Sequence, residues 1–221
     1  MANLKNDIEK ALRKYSSLKL KVSEGTSFVM GVFTAYDKTS KTEIEDYNIL
    51  IWFTKKYPYE FPIVIETSEK IPKVLSRHVK VNGTLCFGNW QDELSTCKNG
   101  ITFTWFLDEI LNTHLCREFV KEKTTKYPTG ERSHGMEGIW EGYYDVLSIM
   151  DKSKVLEELE LILNHNQIGR NDLCYCNKGK KYKACHEKIE SEVTKIGKTN
   201  AQEIVELLKA DFKNNKKIME K

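Results

Sequence analysis

Four side chains able to ligate a metal lie between residues 174 and 186, in a segment too short to fold by apolar burial. In GRNDLCYCNKGKKYKACH, Cys174, Cys176, Cys185 and His186 read as Cys-x-Cys, eight residues, then Cys-His. A module of about 25 residues buries too little apolar surface to stand alone, so metal binding has to supply its folding free energy. Three thiolates and one imidazole form a tetrahedral zinc set, and four protein ligands leave no open position for chemistry, which makes the expected zinc structural. Lys178, Lys180, Lys181 and Lys183 surround the ligands and favour thiolates, with Gly179 at the turn. The alternative is a chance cluster of buried thiols. The lysines read as a solvated basic face rather than a phosphate or nucleic-acid contact, because a formal net charge of +3 is close to balance.

The rest of the chain has an α+β order. Leu4, Ile8, Ala11, Leu12 and Tyr15 recur at helical spacing over residues 3–18. SFVMGVFTAY, DYNILIWFT and FPIVIET follow as three strands. The second is apolar on both faces, as expected of a central strand. Pro58 and Pro62 force an extended turn before the third. Phe103, Phe106, Leu107, Ile110, Leu111 and Leu115 predict a helix over 103–119, N-capped by Thr102 or Thr104. Met136, Ile139, Trp140, Tyr143, Tyr144 and Leu147 predict another, with its stripe facing a core. A further helix is expected over about 154–163. NAQE, with Asn200 and Glu203, reads as a capping box opening a last helix with Ile204, Leu207, Leu208 and Phe212. The domains are expected at 1–150, a linking helix at 151–167, the zinc module at 168–190 and the final helix at 199–217. No run approaches a membrane span, and MANLKNDIEK lacks the apolar core of a signal peptide, so a cytoplasmic location with reduced thiols is expected.

Cys86 stands apart from that cluster, in VNGTLCFGNW, with Gly83 and Gly88 around it. Three readings are open on the residues alone: a buried filler, a ligand of a second metal, or a nucleophile. Cys97, His78 and Cys116 are scattered without ligand spacing, which counts against the metal.

Two resemblances sharpen this. The cysteine cluster, with its GRND lead-in and the Tyr182-Lys183 pair before Cys185-His186, resembles the SEC-C motif appended to many unrelated bacterial proteins. That resemblance implies zinc and a docking role. The first 150 residues resemble the ubiquitin-conjugating-enzyme fold. The residues that carry this are an opening helix, a meander, Tyr57-Pro58 with Pro62, and His78 upstream of Gly83-Thr84-Leu85-Cys86. The family's His-Pro-Asn reads His78-Val79-Lys80 here, so its oxyanion-supporting asparagine is absent from its expected place, and Asn82 is a displaced substitute. The segment from Gly130 to Tyr144 is similar to one in divergent bacterial ubiquitin-conjugating-like proteins of anti-phage (CBASS-type) operons.

The resemblance implies an acyl carrier that takes a protein carboxyl terminus as a thioester on Cys86 and passes it to an acceptor. The implied partner is a nucleotidyltransferase resembling cyclic GMP-AMP synthase. Gly83 and Gly88 would allow close approach of a peptide, and thiol chemistry between thioesters needs little activation. His134 is a candidate base or a structural residue, and His78 is expected to brace the loop. The rival reading is a catalytically idle adaptor of the same fold that docks a partner through its zinc module. A cysteine hydrolase is disfavoured, because no pair of a histidine with an asparagine or aspartate can be placed.

Overall fold

Strand pairing begins earlier than the helical spacing suggests. In the computed structural model, which describes residues 2–23, 25–80, 82–88, 90–128, 133 and 135–219, helix α1 (Ala2–Lys14) stops short and Leu18, expected to finish it, opens strand β1 (Leu18–Ser23). LKLKVS alternates apolar and polar residues, a strand period that the longer helical stripe overshadowed. His134 and residues 129–132 lie outside the described residues.

The chain forms two units, Met1–Glu131 and Arg132–Lys221. In the first, β1 is followed by β2 (Thr26–Tyr36), β3 (Glu43–Trp52) and β4 (Ile63–Glu66) in an antiparallel sheet of order β1-β2-β3-β4, four strands rather than the three expected. The central position of β3 agrees with its pattern. Val29, Phe33, Tyr47, Ile49, Ile51 and Val64 point into the core. Helix α2 (Trp90–Cys97) precedes a continuous helical rod. The rod consists of α3 (Phe103–Trp105), a π-helical stretch (Phe106–Leu111) and α4 (Asn112–Thr124). Phe103, Phe106, Leu107, Leu111 and Leu115 are buried along it and join the same core cluster as the sheet residues. Thr102 caps the rod by accepting the Trp105 N–H at 3.2 Å, as the sequence suggests.

Three buried or half-buried polar side chains fix where this covering sits. Asn112 accepts the Tyr36 N–H and donates to the Tyr36 carbonyl, both at 2.9 Å, beside the irregular pairing at Ala35/Tyr36. Asp7 of α1 accepts the Phe103 N–H at 2.9 Å. Glu66, at the end of β4, accepts the main-chain N–H groups of Ser68 at 2.6 Å and Lys70 at 3.1 Å, ordering the segment that leads towards Cys86. Each answers main-chain groups that burial would otherwise leave unpaired.

In the second unit, α5 (Met136–Leu147), α6 (Lys152–Asn164) and α8 (Lys198–Met219) share a core of Ile139, Trp140, Leu159, Ile162, Ile204 and Leu208. Trp140 is fully buried, and its Nε1–H donates to Asp211 at 2.8 Å. Helix α5, expected inside a first domain ending at 150, therefore packs with the C-terminal helices, and α6 is core rather than a linker. Helix α8 starts at Lys198, ahead of the expected capping box. The Asn200 side chain donates back to the Ile196 carbonyl at 2.9 Å, and the Ala201 N–H bonds to Gly197.

Gly31 is required by close packing of backbones. It pairs with Leu18 at φ +145°, and a Cβ there would stand 2.2 Å from the Ser17 carbonyl oxygen. Gly31→Ala should lose roughly 2–4 kcal/mol in urea unfolding. Gly25→Ala, at φ +75° in open space, should lose only about 1 kcal/mol.

Candidate metal centre and the Cys86 loop

The cysteine cluster folds as a small turn-rich knuckle. The Asp172 side chain accepts the Gly169 N–H at 2.8 Å, which shapes the GRND lead-in. Leu173 and Lys181 form a β-bridge, and the Cys174 N–H donates to the Lys180 carbonyl at 2.8 Å. Between them the chain reverses through Asn177 (φ +56°) and Gly179 (φ +73°). A short 3-10 turn (Tyr182–Ala184) then delivers Cys185 and His186 to the start of α7 (Glu187–Val193).

One ligand atom from each of Cys174, Cys176, Cys185 and His186 lies within 4.8 Å of all the others. His186 Nδ1 is 3.1 Å from the Cys174 sulfur and 3.2 Å from that of Cys185, and the Cys176 and Cys185 sulfurs are 3.6 Å apart. Sulfurs about 2.3 Å from one tetrahedral ion stand about 3.8 Å apart, so the donor set fits zinc in both kind and spacing. The four ligands named from spacing are thus brought together.

Their protonation explains why they need a cation. Burial disfavours the Cys176 thiolate, but the Lys178 main-chain N–H and the neighbouring thiols outweigh it and draw the Cys176 thiol below its ordinary range. Burial, then hydrogen bonding with Cys176 and Cys174, pushes the Cys185 thiol up to about 11. Crowded sulfurs cannot all ionise unaided, and metal binding must displace their protons. The Lys178 contribution comes first from its backbone N–H, ahead of the lysine charge on which the sequence reading relied.

A second layer was not legible in the motif. His186 Nε2 pairs with Glu158 of α6, leaving Nδ1 for the metal. Tyr175 stacks on His165 with ring centroids 3.9 Å apart, and Glu190 meets His165 Nε2 at 2.8 Å and the Tyr175 hydroxyl at 3.3 Å. The helix carrying Glu158 was read only for its apolar stripe.

Cys86 sits in the first unit at the end of a miniature hairpin. Val79 bridges Leu85 and Thr84 bridges Ile65, so the hairpin is anchored beside β4. The Leu85 N–H donates to the Val64 carbonyl at 2.8 Å, and the Cys86 N–H to the His78 carbonyl at 2.7 Å. His78 thus braces the loop through its main chain. Phe87, the next residue, packs edge-on against Phe61, Phe106 and His114, which fixes Cys86 against the core. Cys86 is half-buried, and its thiol donates to the Gly88 carbonyl at 3.5 Å.

Cys86 and Phe87 border two cavities. One, of about 140 Å³, is lined by His78, His114, Arg117, Glu118 and Tyr127. The other, of about 240 Å³, is lined by Phe61, Pro62, Lys80, Thr84 and Glu93. Asn82 is turned to its own loop, where its carboxamide oxygen accepts the Thr84 N–H at 3.2 Å and the Thr84 hydroxyl at 2.7 Å. The other two cysteines of this unit sit in settings that disfavour their thiolates. Burial, then the charge of Glu93, pushes the Cys97 thiol up to about 12, and burial raises that of Cys116. His114 and Arg117, on the polar side of a helix read for its apolar face, were missed. Their i, i+3 spacing was the available signal.

The SEC-C motif family model matches residues 170–188 of this chain. The protein translocase subunit SecA of Borreliella afzelii (strain PKo) is 40% identical over 40 residues, which cover 18% of this chain and 4% of that protein. No solved structure matches. The SEC-C motif is a zinc-binding module, and the four-ligand cluster lies at the matched residues. Among the described residues, no helix is long and apolar enough to cross a membrane.

Purified protein should contain about one zinc per chain. Glu158→Gln should weaken zinc about 10–100-fold in chelator competition, since an outer carboxylate sets the ring's tautomer and orientation. Affinity should also fall as pH is lowered, because protons compete for the thiolates.

Proposed function

We propose that this chain is a ubiquitin-conjugating-like acyl carrier with Cys86 as its thioester nucleophile and a structural zinc module at its C-terminal end. The observation that carries the reading is the placement of Cys86, half-buried, anchored by the main chain and lining two cavities. A donor on one side and an acceptor on the other are what a carrier has to accommodate. Support also comes from the four-stranded meander, the Tyr57-Pro58…Pro62 turn before β4 and the helical rod beyond the cysteine.

In this reading the Cys86 thiolate attacks an activated protein carboxyl terminus, presented as a thioester or acyl-adenylate. A carbon–sulfur bond forms, the former leaving group departs with its electron pair, and the thiol proton passes to solvent. An acceptor amine or hydroxyl later attacks the new thioester and releases the thiolate. The donor proposed from the resemblance is the carboxyl terminus of a cyclic-oligonucleotide synthase in anti-phage defence. Asn82, with its carboxamide oxygen engaged by Thr84, serves the loop's shape in this mechanism. The zinc module would dock a partner.

Co-expression with neighbouring gene products, followed by intact-mass analysis, tests the proposal. Wild type should carry a thiol-cleavable adduct. Cys86→Ala should lose it, and Cys86→Ser should form a slower, thiol-resistant ester. Cys97→Ala and Cys116→Ala should leave the adduct in place. Cys86→Ala should cost under about 1 kcal/mol, so its loss of adduct would not reflect unfolding. An adduct that survives in Cys86→Ala would move the chemistry elsewhere. None with any partner would favour the adaptor.

A further inference from the structure

The cavity on the α4 side of Cys86 contains buried nitrogen atoms that the protein leaves without acceptors. Arg117 Nε and His114 Nε2 are both closed off from solvent and without a hydrogen-bond partner. They stand at i, i+3 on α4 and line the cavity shared with Cys86. The nearby carboxylates are engaged elsewhere. Glu118 holds Arg77 Nε at 2.8 Å and accepts the Tyr127 hydroxyl, and Glu109 pairs with Lys38 at 2.7 Å. The Arg117 guanidinium lies over the Tyr127 ring, 5.4 Å from its centroid, and no ion pair with it occurs among the described residues. A buried, unpaired N–H is costly to keep unless something is meant to bind it.

We propose that this cavity is the oxygen pocket of Cys86, in which Arg117 Nε–H and His114 Nε2 receive the acyl carbonyl oxygen or a carboxylate of the group brought to the sulfur. The pocket deepens the acyl-carrier reading and rests on it for its role in transfer. When the Cys86 thiolate attacks the carbonyl carbon of a thioester or acyl-adenylate, the π pair moves onto oxygen. In the proposed pocket that charge is met by these two nitrogens, and the pair returns as the leaving group departs. A guanidinium carries donors and no acceptor, so Arg117 can present only N–H groups to the pocket. Burial, with His78 and Arg117 adding repulsion, holds His114 at about 3, so the ring is neutral at physiological pH and can offer one N–H. The cavity of about 140 Å³ has room for a carboxylate, given that one water needs roughly 10–15 Å³ of such volume. Phe87, Ile110 and Tyr127 supply an apolar lining that strengthens a charged hydrogen bond. The missing His-Pro-Asn asparagine is thereby replaced from α4, not by Asn82.

Competitive alkylation of the full-length, zinc-loaded protein tests the pocket without any acyl donor. Iodoacetate and iodoacetamide differ by a carboxylate, and their rates at Cys86 can be read by peptide mass spectrometry against glutathione as a free-thiol control. The iodoacetate-to-iodoacetamide ratio at Cys86 should exceed that of glutathione by about tenfold, the effect of one charge-assisted hydrogen bond. Arg117→Gln, which keeps the aliphatic stem, should remove most of the preference, Arg117→Lys should keep part of it, and His114→Gln should reduce it. A role in packing alone would change both reagents equally. Equal ratios in wild type, Arg117→Gln and glutathione would overturn the pocket. So would a preference that persists in Arg117→Gln with an unchanged circular dichroism spectrum. A Cys86 adduct without carboxylate preference would leave the carrier standing and remove the pocket. A preference with no adduct under any partner would support the pocket as a carboxylate site while removing the carrier.

Discussion

An open four-stranded sheet must cover one apolar face, and in the first unit the helical rod from Phe103 to Thr124 does so. Phe103, Phe106, Leu107, Leu111 and Leu115 supply the covering surface. Asp7 fixes one end of the rod through the Phe103 N–H, and Asn112 locks its middle to Tyr36 at the end of β2. Once the rod lies there, α4 presents His114 and Arg117 to the cavity they share with Cys86 and Phe87. The setting of the cysteine thus follows from how the sheet is covered, with Glu66 and the Val64 carbonyl completing the approach from β4.

The second unit solves a different problem by other means. Its knuckle has few buried apolar residues of its own, and burial with hydrogen bonding to its neighbours keeps the Cys185 thiol protonated until a cation displaces the proton. Glu158 carries that centre into the helical core, because the helix that holds the His186 ring also buries Val155, Leu159, Ile162 and Leu163. A metal bound at this cluster would therefore reinforce the helix packing of this unit. The layer formed by His165, Tyr175 and Glu190 closes one side of the ligand ring by stacking and hydrogen bonding.

Much of this was readable because the relevant signals are local. Three strands, the rod and the core stripe of α5 follow from periods of 2 and 3.6, and Thr102 from its place before an apolar run. The early strand β1 was lost because Leu18 also continues the helical stripe, and a single residue cannot decide between two periods. The boundary was misplaced because α5's apolar stripe says that it packs without saying on what. Its contacts with α6, α7 and α8 settle that it belongs to the second unit.

The sequence by itself determined the four candidate metal ligands, since a metal knuckle is held by residues a few positions apart and the spacing is the geometry. It also marked Cys86 as unusual, through the glycines around it. Only the tertiary structure decided what surrounds those residues. Glu158 reaches His186 from 28 residues earlier in the chain, and Arg117 and His114 line the Cys86 cavity from a helix that begins after it. Such pairings depend on how separate elements pack, and the polar face of a helix carries no periodic signal that names its partner.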